Sequence, residues 1–80
     1  MEYLKLEKLG EIFNLRRQVK FNLIPKTDKY REMNYIADFV YTDKDNIDHI
    51  IDVKGMILPE FKMKQKIFYW KYGKDIEIVK

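Results

Sequence analysis

Apolar and polar residues alternate along four stretches of this 80-residue chain and recur at helical spacing along a fifth. Residues 1–9 read as a short helix closed by Gly10. From Arg17 to Ile24, Val19, Phe21 and Leu23 face one way and Gln18, Lys20 and Asn22 the other, which predicts a half-buried strand ended by Pro25. Glu32 to Tyr41 predicts a second strand, with Met33, Tyr35, Ala37, Phe39 and Tyr41 alternating against Ile36, Asp38 and Val40. Residues 43–47 carry turn chemistry, and Asp48 to Lys54 alternates as a third strand. Pro59 suits the first turn of a helix that runs to about Tyr72 and stops at Gly73. Lys74 to Val79 forms the last strand. The predicted order is αβββαβ, an α+β (mixed α/β) domain with a four-stranded mixed sheet flanked by two helices. Its closing βαβ passage implies a parallel strand pair.

The second helix is apolar on two sides. At 100° per residue, Phe61, Phe68 and Tyr72 make one stripe, and Met63, Ile67 and Trp70 make another nearly opposite. One stripe must face the sheet. The other calls for the first helix or a partner subunit.

Composition narrows the chemistry. Hydrophobic residues at 46% and aromatics at 15% suffice for a folded core, and 80 residues allow one small domain, residues 1–80. No apolar run reaches the roughly 18–20 residues of a membrane span, and the start lacks the apolar region of a signal peptide, so a cytoplasmic protein is expected. With no cysteine, disulfides, thiolate zinc sites and cysteine nucleophiles are excluded. The one histidine, His49, argues against a Ser-His-Asp hydrolase. The net charge of +3 is unevenly spread. Five lysines and one acid lie between Pro59 and Lys74, whereas four aspartates and one lysine lie between Thr42 and Asp52. A basic helix beside an acidic knot suits a bound cation next to a bound polyanion, and equally suits two solvated surfaces.

The hairpin supplies a more specific geometry. A five-residue loop at 43–47 pairs Thr42 with Asp48, which sets Asp38 opposite Asp52 with their Cβ atoms about 4.5–5.5 Å apart. Lys54, two residues on, shares the Asp52 face. Two hard carboxylates and an ammonium would suit Mg²⁺ and a phosphate. The same residues also fit a lysine that merely neutralises an aspartate on an exposed sheet face. An acid-x-Lys triplet carries little weight alone, since chance supplies about two in a chain this rich in both, and there are two, Asp52-Val-Lys54 and Glu60-Phe-Lys62. The strand context and the facing Asp38 distinguish the first.

Tyr35-Ile-Ala-Asp-Phe-Val-Tyr41, Ile50-Ile-Asp-Val-Lys-Gly55, Lys64-x-Lys-x-Phe68 and Tyr72-Gly73 together resemble the PD-(D/E)xK nuclease superfamily. The likeness runs from about Tyr3 to Val79 and is greatest to a small phage- and prophage-encoded branch of unknown function. It implies a restriction-endonuclease-like αβββαβ core and a metal-dependent DNA endonuclease, with branched or recombination DNA among its substrates. Asp38, Asp52 and Lys54 would be catalytic. Asp38, Asp52 and the Val53 carbonyl would hold Mg²⁺, with Mn²⁺ as a substitute. Gln18 resembles a polar position found near such sites. Lys62, Lys64 and Lys66 would contact DNA phosphates without base specificity. Members usually carry a first-helix glutamate that completes the site. Glu2 is the nearest candidate and Glu7 the next, each also readable as a surface residue, and the helix is short for the family. A chain without that acid would be a catalytically incomplete nuclease fold that binds nucleic acid or protein.

Four aromatic or titratable side chains remain. His49 points away from the acidic face and reads as a structural or surface residue. Trp70, Tyr69 and Tyr72 could stack on bases, although core or interface packing is the stronger expectation. Cutting both DNA strands needs two sites, which suits a homodimer through helix 59–72 or the N-terminal helix.

Overall fold

A computed structural model describes residues 2–80, apart from the Glu2 side chain. The elements are α1 (Glu2–Lys8), β1 (Ile12–Ile24), β2 (Met33–Asp43), β3 (Asp48–Val53), α2 (Pro59–Tyr72) and β4 (Ile76–Val79). The strands form one sheet in the order β1-β2-β3-β4, antiparallel except for the parallel β3–β4 pair. The αβββαβ order and the mixed four-stranded sheet expected from the sequence are both present. Among the described residues, no helix is long and apolar enough to cross a membrane.

The turn predicted at 43–47 sets the register of β2 against β3. The Asp43 Oδ1 accepts hydrogen bonds from the amides of Asp45 (2.8 Å) and Ile47 (3.0 Å), and Asn46 takes the left-handed conformation at φ 66°. Thr42 therefore pairs with Asp48, and the ladder runs on to Phe39 opposite Ile51. The helix α2 has Pro59 in its first turn, where the missing amide costs nothing. It ends at Gly73, whose φ of 69° lets its amide bond to the Tyr69 carbonyl at 2.8 Å.

Each sheet face has its own cluster. On the α2 side, Leu23, Tyr35, Ala37, Val40, Ile50 and Ile76 pack with Phe61 and Phe68. The ring of Phe68 meets Phe21 edge-on at 5.0 Å and Tyr35 at 5.8 Å, so its removal would cost about 3–5 kcal/mol. On the other side, Tyr3 of α1 packs against Phe39 (5.3 Å) and Tyr41 (5.6 Å).

Three sequence expectations need correction. First, β1 begins at Ile12 rather than Arg17. A register shift between Phe13 and Arg16, with Asn14 at φ 53°, breaks the alternation that would have revealed those residues. Second, Tyr35, Ala37 and Val40 share one core while Phe39 and Tyr41 face α1, so the two-residue period of β2 slips around Asp38. The Gln18–Asp38 pair is missing from the ladder there, and Gln18 stands at φ 52°. Third, α1 lies across the sheet from α2 and does not cover its second stripe. Met63 is 60% exposed and Trp70 82%.

Candidate functional site

The site lies between the first half of β2 and the end of β3, beside the first turns of α2. Asp52 is 2% exposed, the one buried charged residue in the described core. Its Oδ2 accepts a 2.6 Å hydrogen bond from the Tyr35 hydroxyl, and its Oδ1 lies 3.6 Å from the Lys54 Nζ. That ammonium also sits over the Phe61 ring, 4.9 Å from its centre. The Lys54 backbone is fixed by a 2.9 Å bond from its amide to the Val79 carbonyl of β4. Asp52 and Lys54 thus stand on one side of β3, as the alternation of the strand requires.

Asp38 reaches this site by another route than the direct cross-strand pairing expected from the register. The β2–β3 ladder stops one step earlier, at Phe39 and Ile51. The Asp38 Oδ2 instead accepts the Val53 amide at 2.8 Å, replacing the strand bond that the slip around Asp38 removes. Its Oδ1 accepts a long 3.4 Å bond from the Gln18 Nε2. Because the Val53 amide points toward β2, its carbonyl belongs to that side of β3 as well.

The charges are poorly matched. Burial pushes the Asp52 carboxyl above the usual carboxylate range. The Tyr35 bond and Lys54 pull it down, and the nearby Asp38 carboxylate pushes it up again. Burial also raises the Tyr35 hydroxyl far above the ordinary tyrosine value, with further upward pushes from its bond to Asp52 and from the two carboxylates. Tyr35 is therefore a permanent donor to Asp52 at any physiological pH.

Beside Asp52 opens a cleft of about 390 Å³, lined by Tyr35, Asp52, Lys54, Glu60, Phe61 and Lys64 among others. Asp38 lies off its wall. The donor set suits Mg²⁺, which is commonly held by one or two carboxylates with water and substrate phosphate completing the shell. Asp38 and Asp52 supply hard oxygens, and each oxygen that already accepts a hydrogen bond keeps a second lone pair. Among the described residues, no group of three or more acids and histidines converges on one point. The Glu2 side chain, the expected first-helix acid, lies outside the described residues. Glu7 is committed elsewhere, because its Oε2 accepts the Leu15 amide at 2.9 Å and ties α1 to β1.

The three helix lysines separate. Lys64 is half-buried at the cleft and pairs with Glu60 at 3.9 Å. Lys62 and Lys66 lie on the opposite flank of α2 along a second groove. Gln18 is exposed and touches the site through Asp38. His49 is remote from it, bridging Asp43 (2.7 Å) and Glu77 (2.5 Å) on the α1 side of β3. Tyr72 packs on Phe21 and Phe68, whereas Tyr69 (56% exposed) and Trp70 lie outside the core, which removes core packing for these two from the expected core or interface roles.

Sequence reasoning missed Tyr35 and Glu60. Tyr35 sits in an alternating apolar run and reads as core, and its ring is core. Only the general need of a buried tyrosine hydroxyl for a partner hinted at its second role.

No curated protein and no solved structure matches the chain. One family model does, over residues 1–79. By that match the chain belongs to the family described as Protein of unknown function (DUF1064).

Proposed function

We propose that this protein is a Mg²⁺-dependent endodeoxyribonuclease that hydrolyses phosphodiester bonds at the Asp52 cleft, with branched or recombination DNA among its substrates. The observation that carries this reading is the contact between Lys54 and a carboxylate buried to 2% exposure, with a second carboxylate close enough to disfavour its ionisation. A buried acid crowded by another acid is costly to a fold unless it serves a cation or a reaction. The resemblance of the Ala-Asp-Phe and Asp-Val-Lys-Gly segments to the PD-(D/E)xK nucleases supports the same conclusion.

Asp52 and Asp38, with the Val53 carbonyl, would hold the ion. Bound there, Mg²⁺ supplies polarisation of the phosphodiester and acidifies a water. Tyr35 holds the Asp52 carboxylate in place by donating to its Oδ2. The Val53 amide does the same for Asp38. Lys54 presents its ammonium at the cleft, where it orients the attacking water and faces the charge that grows on the phosphate. Lys64, at the cleft rim, offers a contact to a neighbouring phosphate.

Cleavage of labelled linear, nicked and four-way-junction DNA with Mg²⁺ or Mn²⁺, by the wild type and Lys54→Ala, tests the proposal. Cleavage that falls by about 10²–10⁴-fold in the variant supports it. Equal cleavage by both would overturn the site, and salt-sensitive binding without cleavage by either would make the protein a binding module on this fold.

A further inference from the structure

The outer face of α2 carries chemistry that the Asp52 site does not use. Lys62, Lys66 and Tyr69 follow one another at helical spacing along one row, and Met63 and Trp70 along the next. Tyr69 is 56% exposed and Trp70 82%. Among the described residues, neither Lys62 nor Lys66 has an ion-pair partner. A groove of about 530 Å³ runs beside them, lined by Lys62, Gln65, Lys66, Tyr69 and Asp75. From Lys62 to Trp70 this face extends about 12 Å along the helix axis.

We infer that this face binds single-stranded DNA, holding the unpaired strand of the substrate outside the Asp52 cleft. The inference rests on the nuclease reading for the identity of the partner. Exposed rings gain little from a duplex, whose bases stack on one another and hide their faces. Unpaired bases can stack on tyrosine and tryptophan while ammonium groups meet the adjacent phosphates. A second copy of the chain is a poorer occupant, since an antiparallel two-fold contact centred on this row would press Lys66 against the same lysine of the copy. Asp75 is the one acid among the residues lining the groove.

Trp70 is the only tryptophan in the chain, so its fluorescence reports on this face alone. The experiment titrates the full chain, with chelator present to prevent cleavage, with an oligothymidylate of about 15 nucleotides and with duplex DNA of equal length. The oligothymidylate should quench Trp70 more strongly than the duplex does. By anisotropy of a labelled oligonucleotide, Trp70→Ala should weaken single-strand binding about 5–150-fold. Because Trp70 is so exposed, that variant should retain the wild-type circular dichroism. Changing Lys62 and Lys66 to Gln together should reduce the slope of log affinity against log salt by about 1.4.

Quenching by neither DNA, or unchanged affinity in Trp70→Ala, would overturn the inference. So would a concentration-dependent blue shift of Trp70 without DNA, which would mark the face as a contact between copies. Cleavage without quenching would remove this inference and leave the nuclease reading intact. Quenching without cleavage would do the reverse.

Discussion

Asp52 and His49 stand three residues apart on β3 and illustrate two ways of placing charge in a small fold. At the His49 end, the ring stacks on Tyr41 at 4.9 Å and each nitrogen meets a carboxylate, Asp43 on one side and Glu77 on the other. The Asp43 bond is the main reason the His49 pKa is raised, opposed by burial and aided by Glu77. The His49 bond likewise holds Asp43 below the usual carboxylate range. The groups support one another, and they fasten β2, β3 and β4 together near the turn. At the Asp52 end the balance is reversed. Burial is the largest influence, Asp38 adds to it, and Tyr35 with Lys54 offsets only part. One end of the strand has charges matched for stability. The other has the same two carboxylates to one cation, but it buries Asp52 beside an open cleft, where burial and the second carboxylate disfavour the charge that a bound cation would favour.

The contrast is broken most severely by exchanging a residue at each end. Asp52→Asn removes the buried charge but keeps an oxygen to accept the Tyr35 hydrogen bond. DNA cleavage should fall below detection, while the thermal midpoint at neutral pH stays level or rises. His49→Gln should do the opposite, leaving cleavage near wild type and lowering the midpoint. Cleavage assays paired with circular dichroism melts decide this. Parallel losses of stability in both variants would erase the distinction between the two ends.

A smaller effect is expected from Tyr35→Phe, which leaves Asp52 buried without its hydroxyl donor. Loss of such a bond to a buried acceptor costs about 1–3 kcal/mol, measurable by urea unfolding. Since the Tyr35 bond lowers the Asp52 pKa, its removal raises that pKa further, and the acid limb of the pH–rate profile should move to higher pH.

The two ends should also separate with pH. The folded His49 pKa lies above its unfolded value, so its contribution to stability is full below about pH 6.5 and disappears as pH rises through the folded pKa. Asp43, with a lowered folded pKa, contributes above its unfolded value and loses that contribution as pH falls through the folded one. Asp52, with a raised folded pKa, favours the fold when protonated and costs stability once pH has risen through that value. Melts from pH 6 upward should therefore show a falling midpoint in the wild type and a flatter profile in His49→Gln. The weakest prediction concerns Gln18, at φ 52° beside Asp38. Gln18→Gly relieves that conformation and should raise stability by less than about 1 kcal/mol in urea unfolding.

Much of this was legible in the chain because strong local signals agreed with the fold. Pro59 and Gly73 bracket α2, and the turn chemistry at 43–47 fixes the Thr42–Asp48 register from which Asp52 and Lys54 follow. The sequence pattern fails at the two places where the backbone leaves regular strand geometry. Asn14 and Gln18 take positive φ, and nothing in their neighbours' hydrophobicity announces it. Those departures hid the start of β1 and left Asp38 out of the cross-strand ladder, its carboxylate accepting the Val53 amide instead. The location of α1 was equally hidden, because a two-sided helix such as α2 does not say which neighbour covers its second side. Tyr35 went unread as a site residue because a core ring and a site hydroxyl share one side chain.

Melting the protein against increasing Mg²⁺ tests most directly whether the Asp52 end is a cation site. A ligand that binds only the folded chain raises its midpoint in a saturable way. The wild type and His49→Gln should both show that rise, and Asp52→Asn and Asp38→Asn should not. An equal rise in the Asp52 variant, or none in the wild type, would contradict the assignment of the crowded carboxylates to a metal.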